Sequence, residues 1–316
     1  MCDSWKREPG EELKPDEYSR LPKSLKFINI SGGEPFLRDD LPQIIKVINE
    51  NIGSEICISS NGLATDRIER LMKEILKLKA KVRVMISIDG IGERHDEVRG
   101  VPGAFSRATA TVEALKIMGL KDIGLAYLST NQNVDQLMEV MNLSRKIKVD
   151  FTVVGTANSS KIALSPNNPQ IDNLEELRRQ YQRYVREQLK SYSVNKWGRA
   201  YYNSGTPYYA ETGKRQIPCF AGSDFFFMTP NGDIYPDMVL DYKLGNIGSQ
   251  PFAAIWHSQK AEEFRKSIAE DGYCSTPCWM ICTVSPWMKK HKVRCAMWLV
   301  ENKLRAHLGL TIKPVQ

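Results

Sequence analysis

Five short runs rich in β-branched and aliphatic residues punctuate the first half of the chain: SLKFINIS (24–31), SEICISS (54–60), KVRVMISI (81–88), DIGLAYLS (122–129) and DFTVV (150–154). Between them lie LPQIIKVINENI, ATDRIERLMKEILKLK, AFSRATATVEALKIMG and NVDQLMEVMNLSRKI, in which apolar residues return at i, i+3 and i+4, the spacing of one helical face. Strands alternating with helices about every thirty residues predict βαβ units and a parallel sheet. Five strands are too few for a closed eight-stranded barrel, so the pattern predicts a partial barrel or an open sheet.

Beyond residue 155 the pattern changes. LEELRRQYQRYVREQLKSY is an amphipathic helix whose aromatic residues fall at packing positions. DFFFMTPNGDIYPD reads as a hairpin turning at Asn231-Gly232, and PFAAIWHSQKAEEFRKSI (251–268) as a further helix. The most loop-like stretch is TANSSKIALSPNNPQ, which places a domain boundary within 156–218. The expected division is a core over 1–155, the end of that core and a linking helix over 156–218, and a small α+β unit with a C-terminal helix over 219–316.

Composition narrows the class. Of 316 residues, 42% are hydrophobic and 26% charged, the balance of a globular protein. The net charge of +7 is mild, and part of it sits near the end at Lys289, Lys290, Lys292, Arg294, Lys303 and Arg305. That run reads as a solvated helix face ahead of a nucleic-acid surface. No apolar run reaches the length of a membrane span and residues 1–20 are polar, so a cytoplasmic protein is expected. There are seven cysteines, an odd count, and four fall within CSTPCWMICTVSPWMKKHKVRC; such a cluster points to metal or redox chemistry rather than disulfides.

Parallel sheets bind ligands at the C-terminal ends of their strands. Small, polar, backbone-permissive residues follow every strand here: SGGEP (31–35), SSNG (59–62), SIDG (87–90), STNQN (129–133) and GTANSS (155–160). Gly32 and Gly33 before Glu34 let the backbone approach a ligand and present its N–H and C=O groups, although Gly-Gly-Glu-Pro alone is also a plain tight turn. A phosphate loop is disfavoured, since no Gly-x-x-x-x-Gly-Lys follows the first turn.

Gly-Gly-Glu-Pro, Ser-x-Asp-Gly and HDEVRGVPGAF together resemble the radical S-adenosylmethionine (SAM) enzymes, and within them the branch with a C-terminal SPASM or twitch domain. The resemblance implies an α/β fold: a partial (β/α)6 barrel, its first strand missing here, followed by a small α+β iron–sulfur domain. That family carries Cys-x-x-x-Cys-x-x-Cys at the end of strand one, and MCDSW looks like its ending. Met1 is then expected to be an internal methionine and Cys2 the third cysteine of the motif, so that the chain as given is expected to be inactive. Three thiolates on a [4Fe–4S] cube leave one iron open. In the family the amino and carboxylate groups of SAM take that iron, and the 5′-deoxyadenosyl radical made by reductive cleavage abstracts a substrate hydrogen. Carried over by position, Gly32, Gly33, Glu34 and Pro35 form the SAM turn, and Ser59, Asn61, Ser87 and Asp89 are cleft residues touching SAM or substrate.

The second half fits the same resemblance. Cys219 precedes the hairpin, Gly232 sits in its turn, and Cys274, Cys278 and Cys282 follow the helix. Asp237 stands where the family has a second cysteine, and the closing spacing is Cys-x-x-x-Cys-x-x-x-Cys. One auxiliary [4Fe–4S] cluster is therefore expected, with Cys219, Cys274 and Cys278 as ligands, Cys282 or Asp237 as the fourth, and Cys295 as a further candidate for that place. A four-thiolate zinc site is the alternative metal. Cys57, inside an apolar strand, reads as a small buried hydrophobe, and Cys295 as buried in the C-terminal helix. His95 and His257 read as structural hydrogen-bonders. The resemblance implies an oxidoreductase that modifies a peptide or small molecule, with net oxidation through the auxiliary cluster and a reductant such as flavodoxin or ferredoxin. The competing reading is a non-catalytic relative that binds iron–sulfur or zinc only at its C-terminal site. Neither reading involves a membrane, and nucleic acid is not an expected partner.

Overall fold

The computed structural model describes residues 10–157, 159, 168–271 and 278–315. Two expected cluster ligands, Cys2 and Cys274, lie outside the described residues, as does part of the loop placed at the domain boundary. Five parallel strands, β1 (Phe27–Ile30), β2 (Glu55–Ser60), β3 (Val82–Ser87), β4 (Ile123–Ser129) and β5 (Asp150–Thr156), pair in sequence order. They form a curled half-barrel. Its outer face is covered by α1 (Leu41–Asn51), α2 (Thr65–Lys77), α3 (Glu93–Arg99), α4 (Ala104–Ile117) and α5 (Leu137–Lys146).

The two-residue period of each strand sorts the side chains. Ile56 and Ile58, Val84 and Ile86, Leu125 and Tyr127 are buried beneath the helices, against Ile45 and Ile48 of α1, Leu71 and Ile75 of α2, and Val112 and Leu115 of α4. Their neighbours Cys57, Ser59, Met85, Ser87 and Ala126 turn to the concave face and line a cleft. Between α3 and α4 the Asp96 carboxylate accepts the N–H groups of Gly103 (2.6 Å) and Phe105 (2.8 Å), capping α4 while the chain reverses. Gly100 ends α3 at φ +67°, a left-handed position that glycine takes without a Cβ penalty.

In the second half α6 (Leu174–Lys190), α7 (Val194–Ser204) and α8 (Thr206–Thr212) complete the helical layer. Asn173 caps α6 by accepting from Glu176 N at 3.0 Å. The expected hairpin is present as β6 (Phe227–Met228) and β7 (Asp233–Tyr235), and β8 (Gly245–Asn246) extends it to a three-stranded antiparallel sheet. The helix expected over 251–268 is two helices, α9 (Phe252–Trp256) and α10 (Gln259–Asp271), because the Ser258 hydroxyl accepts from Ala261 N and starts a new turn at 3.2 Å. The C-terminal segment is likewise two helices, α11 (Ile281–Lys290) and α12 (Lys292–His307).

Two connections fix the small sheet relative to the half-barrel. The segment before β1 reaches across: Leu13 N donates to Pro230 O at 2.8 Å, and Arg20 donates to the carbonyls of Ile247 (3.1 Å) and Gly248 (2.9 Å). Leu13 and Leu21 are buried there with Ile234, Leu244 and Ile255. On the other side α11 and α12 return to the main core, where Val284, Trp287, Cys295 and Trp298 pack with residues of α6 and α7. Among the described residues no helix is long and apolar enough to cross a membrane.

Candidate functional site

Between half-barrel and small sheet lies one open cleft of about 3670 Å³. Gly32, Gly33, Glu34, Ser59, Ser87 and Asp89 stand on the half-barrel wall; Phe226, Met228, Asp237, Met280 and Cys282 stand on the other. The strand-end turns and part of the cysteine cluster therefore open onto the same space.

On the first wall Gly32 has φ +134°, and a Cβ built there meets nothing within 4 Å. The turn thus requires glycine for its backbone and leaves its cleft side open to a ligand. Glu34 braces this turn: one carboxylate oxygen accepts from Asn61 N (2.7 Å) and the other from Phe36 N (3.3 Å), tying the end of β1 to the end of β2. Burial pushes the Glu34 carboxyl above the usual carboxylate range, against the pull of those N–H donors. Pro35 is buried at the start of the following 3₁₀ turn. Asn61 sits behind the turn, where its side-chain oxygen accepts from Leu63 N at 2.8 Å. Ser59 donates to Asn29 Oδ1 across the concave face at 3.0 Å.

Asp89 is fully buried and fully engaged. One carboxylate oxygen accepts from Leu128 N (3.0 Å) and the other pairs with Arg99 (2.7 Å). Its N–H donates to His95 Nδ1 (3.0 Å) and its carbonyl accepts from Asn133 Nδ2 (2.8 Å). His95 is a structural acceptor, and burial, reinforced by the Arg99 charge, lowers its pKa to about 4. Arg99 faces the cleft as a cation that strand-end reading did not single out; it sits four residues past His95 within HDEVRGVPGAF, on the face of α3 that turns to Asp89. His257 is exposed at the break between α9 and α10.

On the second wall Cys219, Cys278 and Asp237 are buried and Cys282 half-buried. Ala221 N donates to Cys219 Sγ at 3.4 Å, and the Asp237 carboxylate accepts from Val239 N and Leu240 N, both at 2.8 Å. Burial raises the thiols of Cys219 and Cys278, and pushes Cys282 up to about 12 with the Asp237 and Cys219 charges adding to it. Asp237 is also raised by burial. Three thiols and a carboxyl sense one another here, and each would shed its proton on taking a metal. Among the described residues no three His, Cys, Asp or Glu side chains converge at the spacing of a single metal ion. Cys57 is buried in β2, and Cys295 is on the face of α12 that packs into the core.

Residues 1–144 match the family model of the radical SAM superfamily, and residues 219–280 match that of SPASM, an iron–sulfur cluster-binding domain. The chain carries a radical SAM domain followed by a SPASM domain. An AdoMet-dependent heme synthase of Methanosarcina barkeri is 27% identical over 284 residues, 82% of this chain and 76% of that protein. A pre-heme d1 synthase of Dinoroseobacter shibae is 37% identical over 126 residues, 38% of this chain and 29% of that protein. A probable GTP 3′,8-cyclase of Methanococcus vannielii is 30% identical over 153 residues, 46% of this chain and 50% of that protein. The solved structure of native anSMEcpe with bound AdoMet and Cp18Cys peptide aligns at a TM-score of 0.54 and 15% identity, over 91% of this chain and 90% of that one.

As a radical SAM protein with a SPASM domain, the chain uses SAM and [4Fe–4S] clusters. Its residues suit both. The first wall offers an open glycine turn and polar strand ends; the second offers several thiols and one carboxyl, a sulfur-rich donor set for iron. A second cation missed in the sequence, Arg215, lies buried behind that donor set.

Proposed function

We propose that this protein is a radical SAM oxidoreductase whose substrate lies between the SAM turn and an auxiliary cluster. The observation that carries the reading is the single cleft onto which both walls open. Bound SAM supplies a hydrogen-abstracting radical when its cluster donates an electron. In this reading Cys2 is a ligand of the SAM-binding cluster. Gly32, Gly33 and Pro35 shape the turn that receives SAM, Glu34 holds that turn, and Ser59, Asn61 and Ser87 present polar groups beside it. Asp89 acts through Arg99, whose guanidinium it fixes at the cleft. Cys219, Cys274 and Cys278 would hold the auxiliary cluster, with Cys282 or Asp237 as the fourth ligand, and a cluster there would supply an electron acceptor for a net oxidation. We assign residues 1–155 to the radical SAM core, 156–218 to its end and linking helices, and 219–316 to the iron–sulfur unit and C-terminal helices. The reductant is a flavodoxin or ferredoxin, and the compartment is the cytoplasm.

Apolar Met85, Met228, Met280 and Phe226 share the cleft lining with Lys289 and Lys292, which suits an amphiphilic carboxylate. The relative matched over most of its length is named for heme synthesis, and a tetrapyrrole is the substrate class we favour. A peptide is the second reading, supported by the open, elongated span from strand ends to hairpin. The test is anaerobic incubation of protein carrying the complete Cys-x-x-x-Cys-x-x-Cys motif with SAM and dithionite, alone and with an iron porphyrin. The reading predicts 5′-deoxyadenosine, a porphyrin-dependent rise in its rate, and a perturbed Soret band. Absence of 5′-deoxyadenosine from protein with full iron would overturn the enzyme; its formation with no porphyrin effect would favour the peptide.

A further inference from the structure

Arg215 is 3% exposed and follows α8 in the loop that leads to Cys219. Its guanidinium donates to the carbonyl of Cys278, to Thr283 Oγ1 (2.9 Å), to Thr283 O (3.4 Å), to Pro218 O (3.4 Å) and, through Nε, to Ile217 O (3.2 Å). One face lies over the Trp279 ring, 5.7 Å from its centroid. Every one of these acceptors is neutral. Among the described residues no carboxylate bonds to this guanidinium directly, so its desolvation is offset through neutral acceptors.

The place of this charge tells what it serves. It grips the main chain at Cys278 and at Pro218, the residue before Cys219, and so joins two segments far apart in sequence that each bring a thiol to the same wall. A cubane held by thiolates is a net anion, and adding one electron makes it more negative without moving a proton. A fixed positive charge in a poorly screened interior favours the reduced form and raises the potential.

We propose that Arg215 is a positioning residue for the auxiliary cluster, holding the Cys219 and Cys278 segments together and supplying the buried positive charge that raises the cluster's reduction potential. The proposal rests on the reading that Cys219 and Cys278 ligate that cluster. This is checked first with Arg215 in place: Cys219→Ala must remove an iron–sulfur EPR signal that added SAM does not shift, and a failure there overturns the cluster reading itself. That same signal is then followed in dithionite titrations of wild type, Arg215→Lys and Arg215→Gln, with iron and sulfide counted in each. The expected result is a lower midpoint potential in Arg215→Gln and a value close to wild type in Arg215→Lys. Loss of the cluster in Arg215→Gln with retention in Arg215→Lys also supports the proposal, since charge alone separates the two. An unchanged potential in iron-replete Arg215→Gln overturns it. So does equal loss of iron from both variants, which would make the side chain a purely architectural brace.

Discussion

Around Asp89, four contacts converge on one residue: Leu128 N and Arg99 on its carboxylate, His95 on its N–H, and Asn133 on its carbonyl. Such a node makes the strand end rigid, and it has a titration signature. His95 has an unperturbed value of 6.5 and is held at about 4 in the folded protein, because burial and Arg99 disfavour its cation. Between those values the unfolded chain binds a proton that the folded chain refuses, so stability falls as pH drops from 6.5 to 4 and is level above that window. The loss is on the order of 3 kcal/mol. Asparagine can still accept the Asp89 N–H, so His95→Asn is expected to flatten this part of the profile. Urea unfolding of both proteins at pH 7 and pH 4.5 checks it; an equal loss in the two would clear His95 of the effect.

At the scale of elements, the joint between α7 and α8 is shaped around Trp279. That ring is fully buried, stacks on Tyr202 at an interplanar angle of 7°, and donates to Tyr202 O at 3.0 Å. A Cβ on Gly205 would meet the Trp279 ring at 2.3 Å, so the helix joint admits only glycine. Gly205→Ala is expected to destabilise by roughly 1–3 kcal/mol, the cost of overpacking a filled core. Because Cys278 precedes Trp279, the variant should also release iron faster in chelator; normal thermal stability would contradict the packing argument. The sequence showed the five strands clearly, because each alternates or runs apolar over several residues and ends in a turn signal. It hid α3, whose seven residues are too few to display a period, and β8, which has two. The break at His257-Ser258 was masked because Phe252, Ile255, Phe264 and Ile268 keep apolar spacing across it. The same division holds in the site. Gly32–Pro35 and the cysteine cluster are local patterns and could be read, whereas Arg99 and Arg215 matter only through partners that the fold brings to them.

For the molecule as a whole, the cleft exists because two distant ends of the chain hold its walls in place. Leu13 and Arg20 bind the small sheet from one side, and α11 and α12 anchor the cysteine wall to α6 and α7 from the other. The account stands or falls on whether that wall carries a cluster facing the SAM turn. Iron and acid-labile sulfide, counted in anaerobically purified wild type, Cys219→Ala and Cys57→Ala, measure this directly. Cys57 serves as the control, since it lines the same cleft yet lies in β2 on the opposite wall. The account predicts that Cys219→Ala loses about four irons with matching sulfide, the content of one cubane, while Cys57→Ala keeps them. Full iron and sulfide in Cys219→Ala, or a loss of zinc without sulfide, would contradict it.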